Sequence, residues 1–153
     1  MANPPLDFEL ESSSGGTRSL QALRGRVVVL FWEDRERQRQ NTALKRELGR
    51  FAGDPTITRA VSVVAVADLS AYDFAPARGI SRAAIGLIAP AVGIEILLDW
   101  RQTLGSPPFS LHAGQSNVMV IDSAGREMLR REGQLDATQR AEIIDAVRVL
   151  LAR

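Results

Sequence analysis

Two runs of apolar residues constrain the fold more than any other feature of the sequence. They extend from Val27 to Trp32 and from Val61 to Ala67, are rich in β-branched side chains, and show little polar/apolar alternation. Such runs are typical of strands covered on both faces, which are usually parallel. We predict buried strands at Val27–Phe31 and Val61–Ala67.

The segment between these strands is polar and charged, but Leu44, Leu48 and Phe51 recur in it at helical spacing. This pattern predicts an amphipathic helix from about Arg35 to Ala52, which the Gly-Asp-Pro sequence at 53–55 stops.

The second half of the chain continues this alternation and ends in a hairpin and a helix. A short loop ending in glycine between two strand-like runs indicates a hairpin, and Asp136 with Gln139 resembles a capping box. Proline in a helix removes a hydrogen bond, so Pro90 should end or kink the helix that contains it. The predicted elements are a helix capped by Ser81 that carries Ala84, Ile85 and Ile88, a strand at Ile94–Leu98, hairpin strands at Asn117–Ile121 and Arg126–Arg131, and a final helix with Ile143, Ile144, Val147, Leu150 and Leu151 on one face.

This order predicts a single α/β domain over residues 1–153, with a central mixed sheet that is parallel in its first half and antiparallel at its end. The net charge is +1, with 18 acidic residues balancing 19 basic ones, so the composition gives no reason to expect binding to nucleic acid or to an anionic membrane. We see no export signal and no apolar stretch long enough to span a membrane, and we expect a cytoplasmic protein.

The arrangement resembles the thioredoxin-like superfamily, in particular the branch of TlpA-like proteins and peroxiredoxins, and is most similar to YtfJ-type proteins. The resemblance is carried by Ser116–Asp122, Gly125-Arg126, Glu132–Leu135 and the final helix. It implies a thioredoxin-like fold with an extra strand, here Ile94–Leu98, before the terminal hairpin. One departure is that YtfJ-type proteins usually carry an export signal, whereas we see none in this sequence.

Two further departures concern chemistry. Redox-active relatives carry a Cys-x-x-Cys pair after the first central strand, where this chain has Glu36 and Arg39, and the chain contains no cysteine. Thiol–disulfide exchange requires a thiolate, so this chain cannot perform it. Relatives also carry a cis-proline at the position of Ser116, whose peptide bond we expect to be trans because a non-proline cis bond costs about 2.5–4 kcal/mol.

The resemblance places the ancestral active face where the strands end, and this face is our candidate binding site. It should gather Trp32, Glu33, Asp34, Glu36, Arg39, Asp68 and Ser116. The carboxylates of Glu33, Asp34 and Asp68 suit a hard cation such as Mg²⁺. We prefer the alternative in which Glu33 and Asp34 cap the following helix, since no motif with ligand spacing is present, and we expect neither a metal nor a cofactor.

Three arginines, Arg35, Arg37 and Arg39, stand where the helix dipole disfavours cations, and such a helix start could bind a small anion. We prefer a solvated face neutralised by the neighbouring acids. His112, the only histidine, has no nucleophile placed beside it by a motif, and we interpret it as a loop residue.

The proline- and glycine-rich segment from Trp100 to Gly114 predicts a loop that is either mobile or functional. Trp100 and Phe109 could form an exposed apolar patch for a partner, or Trp100 could cover the sheet edge; the sequence leaves both open. We expect a redox-inactive module that binds an unidentified protein partner and is not an enzyme. The alternatives are a divergent peroxiredoxin-like or TlpA-like oxidoreductase with non-cysteine chemistry, or a small-anion-binding protein.

Overall fold

The computed structural model describes residues 4–91 and 94–153, and its helices and strands follow the predicted alternation. The elements are β1 (Glu9–Ser12), β2 (Thr17–Ser19), β3 (Val27–Glu33), α1 (Thr42–Ala52), β4 (Val61–Asp68), α2 (Ala77–Ala91), β5 (Ile96–Asp99), β6 (Asn117–Ile121), β7 (Glu127–Glu132) and α3 (Ala137–Leu151).

The described strands form one mixed sheet in the order β2-β1-β5-β4-β3-β6-β7. β3 pairs in parallel with β4, from Val27 opposite Val61 to Glu33 opposite Ala67, and β4 pairs in parallel with β5. On the other side β3 pairs antiparallel with β6, which pairs antiparallel with β7. The predicted α/β sheet, with its parallel half, extra strand and terminal hairpin, is confirmed.

Alternate side chains of β3 point into two hydrophobic clusters on opposite faces of the sheet, because successive residues of a strand face opposite ways. Val27, Val29 and Phe31 pack under the buried residues of α1 and α3, among them Leu44, Leu48, Ile143 and Val147. Val28, Leu30 and Trp32 pack under the N-terminal segment and the segment after β5, with Leu6, Phe8, Leu104, Phe109 and Leu111.

α3 begins as the sequence predicts. The Asp136 carboxylate accepts a hydrogen bond from the Gln139 amide at 2.8 Å, and the Gln139 side chain accepts one from the Asp136 amide at 3.0 Å, which completes the capping box.

Other boundaries differ from the prediction. α2 begins at Ala77 rather than at Ser81, and the carbonyl of Pro76, directly before the first turn, accepts from the Ile80 amide at 3.2 Å. Pro90 lies inside the last turn, and the helix continues to Ala91. The β1/β2 hairpin, whose β1 borders β5, is not predicted from the sequence.

The covering of β4 is less complete than predicted. Val29 on β3 is fully buried, but its partner Val63 on β4 is 42% exposed, and Val64 is only partly buried. The helices therefore leave the sheet open at Val63, and the cover of the opposite face is incomplete at Val64.

Candidate functional site

The candidate site centres on Glu33, the last residue of β3, whose carboxylate is turned into the protein. Lys45 on α1 donates from Nζ to Glu33 Oε1 at 2.5 Å, and Ser116 donates from Oγ to Glu33 Oε2 at 2.5 Å. Burial raises the pKa of the Glu33 carboxyl, against the lowering effect of Lys45 and of the Ser116 hydrogen bond. The structure thus brings two of the predicted residues, Glu33 and Ser116, into direct contact.

Asn41, which directly precedes α1, connects this contact to the segment that follows β7. Its buried amide donates to Ser116 Oγ at 2.8 Å and to the Gly133 carbonyl at 3.0 Å, and its Oδ1 accepts from the Leu135 amide at 3.0 Å. Glu33, Asn41, Lys45 and Ser116 form one hydrogen-bonded set, here called the Glu33 network.

The backbone of Ser116 is also satisfied within the chain. Its amide donates to the side chain of Gln40 at 3.2 Å, and its carbonyl accepts from the Gly133 amide at 2.9 Å. Among the described residues, cis peptide bonds precede only Pro76 and Pro108, so the bond before Ser116 is trans as predicted. The strand edge before β6 therefore presents neither a cis-proline nor a free backbone pair at this residue.

The helix that the sequence predicts from Arg35 begins only at Thr42, and residues 34–41 form a turn instead. Residues 35–40 carry no large apolar side chain that could pack on the sheet, so helical structure is stabilised only from Leu44 onward. Asp34 accepts from the Arg37 amide at 2.9 Å and caps this turn, not the helix. The predicted capping of the helix by Glu33 and Asp34 is wrong.

The charged residues of this 34–41 turn face solvent. Arg35, Glu36 and Arg39 are exposed, whereas Arg37 lies 3.8 Å from Asp34. The helix N-terminus that would have made an anion site of the arginines lies beyond them at Thr42. The alternative that combined the helix dipole with the arginines, which we did not prefer, therefore does not form.

Trp32 and Asp68 lie near the same sheet edge but outside the Glu33 network. Trp32 points to the other face, where its buried Nε1 donates to Asp99 Oδ2 at 3.1 Å. Asp68 accepts from the amide and hydroxyl of Ser70, at 3.1 and 2.7 Å. Within residues 4–91 and 94–153, no three histidine or carboxylate side chains are grouped closely enough to hold a metal ion.

The remaining candidates from the sequence are His112 and the pair Trp100 and Phe109, and their surroundings differ. His112 is exposed, and its Nδ1 lies 2.5 Å from Glu132 Oε2, with the Ser116 hydroxyl already engaged in the Glu33 network. Trp100 and Phe109 are buried, which excludes the exposed patch, one of the two alternatives that the sequence left open. Phe109 belongs to the core with Leu104 and Leu111. The proline-rich segment from Trp100 to Gly114 therefore packs on the sheet and covers this face of it.

Sequence reasoning missed Asn41 and Lys45, although both carry a weak signal. Lys45 is the only lysine among 19 basic residues, and Asn41 stands directly before the apolar period of α1 begins. Asn41 forms its hydrogen bonds with Ser116 and Leu135, which are 75 and 94 positions away in the sequence. No local sequence pattern can predict contacts over such separations.

No protein-family model matches the sequence, and no curated protein does. Solved structures do match. A protein assigned as the thiol:disulfide interchange protein DsbE from Chlorobium tepidum gives a TM-score of 0.73 at 15% identity, over 98% of this chain and 96% of its own. The chain has the thioredoxin-like fold.

Other proteins with this thioredoxin-like fold extend the comparison. The exposed lipoprotein thioredoxin Etrx1 from Streptococcus pneumoniae gives a TM-score of 0.66 at 18% identity, over 95% of this chain and all of its own. A DsbF homologue from Corynebacterium diphtheriae gives 0.69 at 16%, over 95% and 87%. At sequence identity this low, the structural similarity establishes the fold alone. The function has to be argued from the site.

Proposed function

We propose that this chain is a redox-inactive thioredoxin-like domain that binds a protein partner through the 34–41 turn. The observation that carries the proposal is the Glu33 network. Its side chains come from the end of β3, from the start of α1 with the residue before it, and from the residue before β6. They are satisfied by one another and by the chain's own backbone. With no cysteine in the sequence, this arrangement supports a stable platform rather than a reactive centre.

The chemistry of the turn favours an anionic partner surface. Arg35 and Arg39 are exposed, and neither is paired with a carboxylate within the described residues. Guanidinium groups bind carboxylates through two parallel hydrogen bonds, which gives geometric selectivity as well as attraction. We infer that acidic side chains of a partner dock here.

Assignment to the TlpA/peroxiredoxin-like branch, closest to YtfJ-type proteins, is part of this proposal and is supported by the position of β5 between β4 and the terminal hairpin. The cytoplasm stays our expectation for its location. No helix in the described part of the chain is both long and apolar enough to cross a membrane.

The test compares three baits in pull-downs from the native host: the unchanged chain, Arg35→Ala with Arg39→Ala, and Arg59→Ala. Arg59 is also exposed but precedes β4, at the opposite end of the sheet. We expect the same partner on the unchanged chain and on Arg59→Ala, and its loss from the double variant. Equal capture of the partner by all three baits would show that the 34–41 turn is not the binding surface. Insulin reduction or peroxide consumption above buffer would favour the oxidoreductase alternative.

A further inference from the structure

α2 is oriented with its charged side chains toward the sheet. The guanidinium carbons of Arg78 and Arg82 lie 4.8 and 5.3 Å from the ring centre of Trp100. Arg82 also pairs with Glu11 at 2.5 Å, and Glu11 accepts from Trp100 Nε1 at 3.3 Å. Ile85, seven residues beyond Arg78, packs against the same cluster as Trp100. The inner stripe of α2 therefore combines these two arginines with Ile85 and the buried Ala89.

The outer stripe of the same helix is apolar. Ile80, Leu87 and Ile88 are 66%, 77% and 58% exposed, and their spacing of seven and eight places them on one face with Ala84 between them. Phe74 and Ile94, three residues before and after the helix, are 60% and 50% exposed. A surface helix of an isolated domain packs its large apolar residues against the core, whereas α2 exposes three of its four isoleucine and leucine residues.

We propose that the outer face of α2 packs against the same face of a second copy of this chain. The stripe is self-complementary about its centre: Ile80 lies one turn before Ala84, and Leu87 and Ile88 lie one turn after it. In an antiparallel pair related by a twofold axis, Ile80 of each copy meets Leu87 and Ile88 of the other. The small residues Ala83 and Ala84 at the centre permit close approach of the two helices.

The distribution of charge favours a second copy over an anionic membrane. α2 contains no acidic residue, and its two arginines are paired with Asp73 and Glu11 and stacked on Trp100. A membrane-bound helix uses free cations along the border of its apolar face. Here the face that would meet a partner is uncharged, so two copies can meet without repulsion between like charges, and an antiparallel pair separates the arginine-bearing halves.

The exposed area is sufficient for an interface of modest size. Five large side chains that are half to three-quarters exposed leave on the order of 600 Å² per copy, taking roughly 200 Å² for each fully exposed side chain. Two copies then bury about 1,200 Å², at the lower end of specific interfaces. We therefore expect a reversible dimer that forms as the concentration rises.

The test is sedimentation velocity from roughly 10 to 500 µM, where a dimer of micromolar affinity changes its population. We expect the average mass to rise from 16.7 kDa toward twice that value. Leu87→Asp should stay monomeric with an unchanged melting temperature, whereas Val149→Asp, at a 58% exposed apolar site on α3, should still dimerise. A constant monomer mass for the unchanged chain, or dimerisation of Leu87→Asp like the unchanged chain, would overturn the proposal.

A crosslink identifies the interface directly, because the chain has no cysteine of its own. Ala84→Cys should give a covalent dimer under mild oxidation, and Ser123→Cys, exposed in the β6–β7 turn, should give little. Equal crosslinking by both variants would contradict a twofold axis at Ala84. A monomer that instead sediments with phosphatidylserine vesicles through Leu87 would show that the face binds membranes. These readouts do not involve the 34–41 turn, so they can fail independently of the proposed function.

Discussion

The Oγ of Ser116 donates a hydrogen bond to the Oε2 of Glu33, joining the residue before β6 to the last residue of β3. The Glu33 carboxylate is 7% exposed and has Lys45 as its ionic partner. A buried carboxylate of this kind is costly to ionise even when it is paired, and this makes the stability of the network depend on pH.

We predict that Glu33→Gln changes the pH dependence of stability. Burial raises the pKa of Glu33 in the folded protein above its ordinary value of 4.5, so the folded state holds the proton more tightly than the unfolded state. This contribution to stability is fully present below the ordinary pKa and is lost as the pH rises through the raised one. As the pH rises from about 4 to about 8, the melting temperature of the unchanged chain should therefore fall relative to that of Glu33→Gln.

The control for this comparison is Glu36→Gln, at an exposed position of the 34–41 turn. All other titrating groups are common to the variants and cancel in the difference. A difference between the unchanged chain and Glu33→Gln that stays constant over the whole range would show that Glu33 titrates alike in the folded and unfolded states.

Asn41→Ala should destabilise the fold strongly. The change removes three hydrogen bonds and leaves the buried amide of Leu135 without its acceptor. Each buried group left unsatisfied costs about 1–3 kcal/mol, so we expect a loss of roughly 3 kcal/mol in urea unfolding. Gln40→Ala removes one partly exposed hydrogen bond to Ser116 and should cost about 1 kcal/mol or less. Equal losses would mean that Asn41 does not join the segments as described.

The segment after β5 offers a matched pair of phenylalanines. Phe109 is 1% exposed in the core, whereas Phe74 before α2 is 60% exposed. Phe109→Ala should cost about 3–5 kcal/mol, because it removes buried contacts and opens a cavity. Phe74→Ala should cost roughly 0.5 kcal/mol or less. Chemical unfolding of both variants measures the contrast, and a small effect of Phe109→Ala would restore the interpretation of this segment as a free loop.

The parts of the fold that the sequence predicts correctly depend on local chemistry. The run in β3 is apolar because both faces of the sheet are covered along its whole length, whereas β4 is covered only in part. The cap of α3 depends on two residues three positions apart, Asp136 and Gln139. The segment from Trp100 to Gly114 misled the prediction because prolines and glycines indicate irregular backbone but not whether that backbone packs on a sheet. Its anchors, Leu104 and Phe109, are isolated apolar residues without a period.

The candidate site is predictable only in part, for a similar reason. The ends of neighbouring strands meet at one sheet edge, so Glu33 and Ser116 could be placed together from the fold alone. The polar residues that complete their hydrogen bonds come from α1 and the turn before it, and side-chain reach across such distances is not encoded in any local period. The start of α1 at Thr42 rather than Arg35 followed from packing, which overrides the helical tendency of a charged segment.

Two aspartates, Asp68 and Asp99, face each other in the register of β4 and β5. Asp99 is fully buried and accepts from Trp32 Nε1 at 3.1 Å and from the amides of Thr103 and Leu104 at 2.8 and 3.1 Å. Asp99→Ala leaves these donors without a partner, and we expect a loss of about 3–5 kcal/mol in urea unfolding, with altered Trp32 fluorescence in the folded state. Asp68→Ala loses the local hydrogen bonds from the amide and hydroxyl of Ser70, and we expect a loss of about 1 kcal/mol. If Asp99→Ala were as mild as Asp68→Ala, water would have to reach the Trp32 indole, and the segment after β5 would not be the closed cover described.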